Sequence, residues 1–125
     1  MRLLPTLLCG TAVTLSLLVA PVAVADDQLA ASMCDYVAAD DKNRLRKVLS
    51  DYRLRLRNIY DGVVCTGESL IRHAFKSNAA DVGEFIAKQL PGSAVGASGD
   101  IAWAEANGFA DSPLLAVLKS RAGDE

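Results

Sequence analysis

The sequence predicts a mainly α-helical protein: short helix pairs stacked on one another, with one short extended segment, in a single small disulfide-stapled domain. Three observations predict it. Apolar residues recur at helical spacing in successive segments separated by brief runs of turn residues. Strict alternation is confined to one run, residues 52–57 (YRLRLR), which leaves room for a single extended stretch. Two cysteines, Cys34 and Cys65, remain once the apolar N-terminal stretch is set aside.

That stretch defines the first boundary. After Arg2 the chain is uncharged through residue 25 and then meets Asp26-Asp27, with small Ala23 and Ala25 at the positions a signal peptidase reads and Pro21 ending the apolar run. Residues 1–25 therefore read as a cleaved signal peptide, with the cut after Ala25 and a periplasmic or secreted product. An uncleaved anchor fits less well because Pro5, Gly10 and Pro21 interrupt the span, so no membrane span is expected after cleavage. A lipid anchor on Cys9 is disfavoured by Leu7 and Leu8, where a small residue is wanted.

Cleavage leaves 100 residues and removes one cation, giving 12 Lys and Arg against 15 Asp and Glu and a net charge of −3. The mean hydropathy of +0.22 comes largely from the discarded segment. An acidic balance argues against a nucleic-acid partner, since such proteins carry a basic excess. A chain of this size buries only about 60–65% of its unfolded surface and needs a staple. An even cysteine count in an oxidising compartment supplies one: Cys34 and Cys65 read as a disulfide, stabilising the fold by about 3–4 kcal/mol through loop closure. There is no Cys-x-x-Cys for redox work, and one histidine with two cysteines cannot complete a four-ligand metal shell.

The elements come in order. From Asp26 an alanine-rich helix sets Leu29, Met33, Tyr36 and Val37 on one face beside Cys34. Asp40-Asp41 ends it and caps the next, whose face is Leu45, Val48, Leu49 and Tyr52. The alternating run then predicts an extended segment near Arg53 leading into a compact loop over residues 60–67, marked by Asp61-Gly62 and by Gly67 at a position suited to positive φ. A helix over Leu70, Ile71, Ala74 and Phe75 starts from a cap at Ser69 or Glu68. Asn78 closes it in the left-handed conformation, and a partner helix carries Val82, Phe85, Ile86 and Leu90 as far as Pro91. Residues 26–91 thus form a helical core domain. Residues 92–100 (GSAVGASGD) read as a flexible linker. Residues 101–125 form a C-terminal helical extension: a short helix ended by Asn107-Gly108, then one with Ser112 as cap, Pro113 in the first turn and Leu114, Leu115 and Leu118 as its apolar face. Docking of this extension through Trp103, Phe109 and the leucines is expected, because isolated short helices are unstable.

Two resemblances attach to these residues. Gly67, Ser69, Leu70 and Ala74, followed by Asn78 and a second helix reaching Ile86, resemble the Gly-x-Thr-Pro-Leu-x-x-x-Ala pattern of the ankyrin repeat, without its proline. This resemblance implies stacked helix pairs and no function. Residues 34–49 and 56–91 are similar to an uncharacterised family of small exported proteobacterial proteins, known as a domain of unknown function. The likeness covers about residues 29–91 and is carried by NIYDG (58–62), Cys65-x-Gly67-x-Ser69-Leu70 and DVGEF (81–85). It implies export, pairing of the cysteines and these boundaries; no activity, ligand or cofactor comes with it.

No catalytic constellation is legible. His73, the sole histidine, reads as a rim residue, and Gly67-Glu68-Ser69-Leu70-Ile71 is not a nucleophile elbow because Ile71 stands where the second glycine is required. The carboxylates are scattered singly and phosphate-cradling glycine loops are absent. The expectation is therefore a protein that is not an enzyme, with no catalytic residue, cofactor or metal. The exception to this blandness is the basic segment 42–57, with seven cations against Asp51. In an extended chain Arg53, Arg55 and Arg57 project from one side and can grip a phosphate or carboxylate through their guanidinium forks. The competing reading makes them a solvated face neutralised by Asp40, Asp41 and Asp51. Two functions result: a protein-interaction module with a cell-envelope protein partner, which is preferred, and a binder or sensor of an anionic envelope ligand through segment 42–57.

Overall fold

The computed structural model describes residues 22–123. Most of the signal-peptide reading, residues 1–21, lies outside them, and the expected cut after Ala25 falls in the first turn of helix α1 (Val22–Ala38). The remaining helices are α2 (Lys42–Asp51), α3 (Leu56–Ile59), which runs into a 3₁₀ turn over Tyr60–Gly62, α4 (Leu70–Lys76), α5 (Ala80–Gln89), α6 (Gly92–Ala97), α7 (Asp100–Ala106) and α8 (Pro113–Gly123). No strand occurs among the described residues.

The same joint is used three times. The first helix of a pair ends with a residue at positive φ, and the next residue's N–H returns to a carbonyl five positions back, which satisfies the orphan acceptors of the last turn. Asp40 (φ 56°) closes α1 with Asp41 N–H on the Tyr36 carbonyl at 2.8 Å. Asn78 (φ 56°) closes α4 with Ala79 N–H on Ala74 at 2.8 Å, and Gly108 (φ 90°) closes α7 with Phe109 N–H on Ala104 at 2.9 Å. Short polar caps then start two of the partners: the Asp41 carboxylate accepts from Arg44 N–H at 3.0 Å, and Ser112 Oγ from Leu114 N–H at 3.2 Å.

Three helix pairs result, α1–α2, α4–α5 and α7–α8. They stack so that α4 lies between α1 and α7, and α5 between α2 and α8. The middle pair is covered on both sides, so Leu70, Ile71, Ala74, Val82 and Ile86 are all fully buried. Gly83 permits the close approach: a Cβ there would stand 2.5 Å from Leu114 Cδ2 and 3.2 Å from Ala74 Cβ. Phe75, Trp103 and Phe109 form an aromatic cluster, with Phe75 and Phe109 centroids 5.2 Å apart, that fixes α7 on α4. The disulfide adds the covalent tie. Cys65 and Glu68 exchange backbone hydrogen bonds of 2.7 and 3.0 Å around Thr66 (φ 51°) and Gly67 (φ 86°), a two-residue turn of the type that needs positive φ at both positions. Cys65 is bonded to Cys34 of α1, so the loop is anchored to the first pair, Cα to Cα 5.6 Å.

Three expectations are corrected. Residues 92–100 are not a flexible linker: Pro91 supplies the N-cap of α6, whose small residues let Val95 bury against α8, where a Cβ placed on Gly96 would stand 3.8 Å from Ala122 Cβ. The C-terminal helices continue directly from α6, and their Leu114, Leu115 and Leu118 dock into the one hydrophobic core. The extended segment shrinks to Leu54 and Arg55, because α2 ends at Asp51, Arg53 takes φ 55°, and Leu56 already starts α3. With the helix over at Asp51, Tyr52 is 61% exposed instead of joining the buried face.

Candidate functional site

Arg53 occupies the position after the α2 cap that favours glycine. Its N–H bonds Ser50 O at 3.1 Å and the next N–H, on Leu54, bonds Leu49 O at 2.8 Å, the paired pattern that closes a helix through a left-handed residue. A side chain larger than hydrogen costs about 1 kcal/mol or more in that conformation. The reversal also re-aims the next four residues. Leu54 and Leu56 turn toward the core, Leu56 fully, while Arg55 (φ −115°, ψ 126°) and Arg57 remain exposed.

These arginines are not lined up on one strand face, as alternation predicts, yet they converge. Arg53, Arg55 and Arg57 line a solvent-open groove of about 620 Å³ together with Arg46 of α2. Phe85 and Gln89 of α5, Leu49 and Ser50 of α2, and Leu54 and Leu56 complete its lining. The Arg46 guanidinium lies over the Phe85 ring, 5.7 Å from its centroid, a cation–π contact that holds one cation in place. Gln89 and Phe85 are not legible as site residues in the sequence, because the stacking of α2 on α5 brings them in beside Arg46 of the basic segment.

The solvated-face reading needs Asp40, Asp41 and Asp51 as partners. Two of them pair within the basic segment as that reading expects, Asp41 with Arg44 at 3.4 Å and Asp51 with Lys47 at 2.9 Å, whereas Asp40 accepts from Val82 N–H at 2.8 Å, and none of the three pairs with Arg53, Arg55 or Arg57. Among the described residues none of the four groove arginines is in a salt bridge, and no acidic residue lines the groove. Four arginines therefore line one concavity on a chain of net charge −2.

A second polar cluster lies beneath the Cys65 loop. Asp100, 1% exposed, accepts from Tyr60 Oη at 2.6 Å, from Arg72 Nε at 2.7 Å and from Ser69 Oγ at 3.1 Å. Tyr60 Oη in turn accepts from Ile71 N–H at 3.3 Å, and Ser69 Oγ caps α4 by accepting from Arg72 N–H at 3.1 Å. The Arg72 guanidinium also stands over Trp103 at 5.4 Å. The adjoining cavity is only about 160 Å³. Both Asp100 oxygens, the Tyr60 and Ser69 hydroxyls and Arg72 Nε find partners inside the chain, so the cluster binds α7 to the middle pair. His73 serves similarly: half-buried, its Nε2 donates to the Cys34 carbonyl at 3.2 Å, behind the disulfide.

Burial first, and then the Asp100 charge and hydrogen bond, hold the Tyr60 hydroxyl protonated far above the usual tyrosine value near 10. The unfolded chain releases that proton above pH 10 while the folded chain keeps it. Stability is therefore intact below about pH 10 and falls above it, by up to about 1.4 kcal/mol per pH unit. Urea midpoints measured from about pH 9 to 11 are expected to drop more steeply for the native sequence than for Tyr60→Phe; parallel slopes would contradict this.

No curated protein and no solved structure matches the chain. A family model matches residues 33–97, a span that contains both bonded cysteines and every groove residue and stops just short of Asp100. With half of its length so matched, the chain belongs to the family described as "Protein of unknown function (DUF3718)".

Proposed function

We propose that the protein is an exported, non-enzymatic binding module of the cell envelope that recognises an anionic group in the four-arginine groove. The observation carrying this reading is the convergence of Arg46, Arg53, Arg55 and Arg57 around a concavity of about 620 Å³ that, among the described residues, no acidic side chain lines. Guanidinium groups are planar, permanently charged and made for bidentate contact with carboxylate or phosphate, and like charges held together are stabilised by an arriving anion. Arg53 strengthens the point. It occupies a backbone position where glycine is less strained, a kind of residue placement that concentrates at binding sites. The groove holds no carboxylate, histidine or cysteine to act as base or nucleophile, which supports binding over catalysis. The apolar run at residues 3–25 and the Cys34–Cys65 disulfide support an oxidising, exported setting.

Two partners present such a group: a small ligand, or an acidic segment of an envelope protein. The second reading draws on Tyr52, 61% exposed beside Arg53, since tyrosine next to arginine is the composition of interface hot spots. Both share the anionic determinant, and one test addresses it. A protein of sequence pI about 5.3 should pass a phosphocellulose column at pH 7 unless a local cationic site holds it. Retention is expected, with elution by salt as screening shortens. The variant Arg53→Gln/Arg55→Gln/Arg57→Gln is expected to flow through while its melting temperature changes little, because exposed charges contribute only about 0–1 kcal/mol each. Equal retention of both proteins would reject the groove as an anion site.

A further inference from the structure

The number of cations in the groove says more than that its ligand is an anion. A carboxylate offers two oxygens and one charge, which one or two guanidinium forks satisfy. Four forks around a single groove would leave most of their donors and most of their charge without a partner. A groove of about 620 Å³ is on the order of 10 Å across, comparable to the Debye length at moderate salt, so the mutual repulsion is not screened away. The ligand that relieves it carries several charges on neighbouring groups.

Resting on the anion-binding reading above, we propose that the groove takes a clustered-phosphate ligand, two or more phosphoryl groups in one head, as in a diphosphate ester or a bis-phosphate lipid headgroup. The oxygens of neighbouring phosphates can engage forks from different elements at once: Arg46 from α2, Arg53 from the left-handed turn, Arg55 from the extended link and Arg57 from α3. The left-handed turn has a purpose in this arrangement. It swings the chain back after α2, so that three arginines from consecutive short elements face one space. Glycine at residue 53 would make the same turn with less strain and one cation fewer.

Titration calorimetry on the disulfide-bonded protein tests the ligand class, with inorganic pyrophosphate, orthophosphate and citrate as probes at about physiological salt. Pyrophosphate is expected to bind about tenfold or more tightly than either of the others, the equivalent of one additional charge-assisted hydrogen bond. Arg53→Gly is expected to weaken pyrophosphate by about as much while raising the melting temperature, two opposite effects that unfolding cannot mimic. Co-sedimentation with phosphatidylcholine vesicles, with and without cardiolipin, separates the sources. Binding to cardiolipin vesicles that pyrophosphate competes away assigns a lipid headgroup, and pyrophosphate binding without sedimentation assigns a free ligand; both support clustered phosphate. Citrate binding as tightly as pyrophosphate would overturn the phosphate class and leave the anion reading standing. No binding of any probe would overturn both. Pyrophosphate binding unchanged in Arg53→Gly and in the triple glutamine variant would place the ligand elsewhere and overturn the proposal.

Discussion

Asp100→Ala is expected to destabilise the fold by about 3 kcal/mol, toward the lower end of the 3–5 kcal/mol typical of removing one partner from a buried charged pair. The substitution leaves three donors facing nothing: Tyr60 Oη, Ser69 Oγ and Arg72 Nε, now 2.6–3.1 Å from the carboxylate that accepts them. Arg72 keeps 28% of its side chain in solvent and can partly rehydrate, which is why the lower end applies. For a domain of about 100 residues such a loss lowers the melting temperature by roughly 10–25 °C. Asp100→Asn keeps the shape and one acceptor oxygen, and so is expected to fall between the two. Chemical denaturation of the three proteins checks the order. A loss under about 1 kcal/mol for the alanine variant would mean that apolar packing alone holds α7 and α8 on the middle pair.

Removing the disulfide is expected to act on a comparable scale by a different route. Replacing Cys34 and Cys65 together with alanine frees a loop of sequence separation 31 in the unfolded chain, a loss of about 3–4 kcal/mol on the loop-closure account. In the folded state the tie joins α1 to the loop that carries Ser69, the cap of α4, so weakening is expected to begin at the seam between the first and second pairs. Hydrogen exchange should show α1 and α2 losing protection before α5 and α8. Thiol labelling of unreduced, denatured protein should find neither cysteine reactive; two reactive thiols, or an unchanged urea midpoint in the double variant, would remove the staple from the account.

The anion reading depends on neither experiment, since the groove arginines take no part in the Asp100 network. Its stability signature is the reverse of theirs. Arg53→Gly is expected to strengthen the fold while weakening the site, as strained functional positions do.

Legibility in the sequence tracks the range of the interactions concerned. The joints between helices were readable because they are made within a few residues. Asp41 and Ser69 accept from N–H groups three positions on, Asn78 takes the left-handed conformation that its short side chain tolerates, Asn107-Gly108 and Ser112-Pro113 end one helix and start another, and Pro91 stops α5. The apolar stripes of α4, α5 and α8 were readable for the same reason, as was the even cysteine count behind the bond between Cys34 and Cys65. The features that the tertiary structure alone decided involve partners distant in the chain. The small-residue run at 92–97 looks like a linker until α8 covers Val95, and Asp100 looks like a surface acid until Tyr60, Ser69 and Arg72 close around it. Asp40 was expected to neutralise an arginine and instead accepts from Val82 N–H at the start of α5. The arginines show the division within one site. Their chemistry and charge were visible at once in the alternating run, but alternation placed them on a strand. Burial of Leu54 and Leu56 turns the chain through a left-handed Arg53, and only the packing of α2 on α5 brings Arg46, Phe85 and Gln89 to the same groove. Local hydrogen bonding and apolar period are written residue by residue, whereas a concave site is made by surfaces that meet only after the helix pairs have stacked.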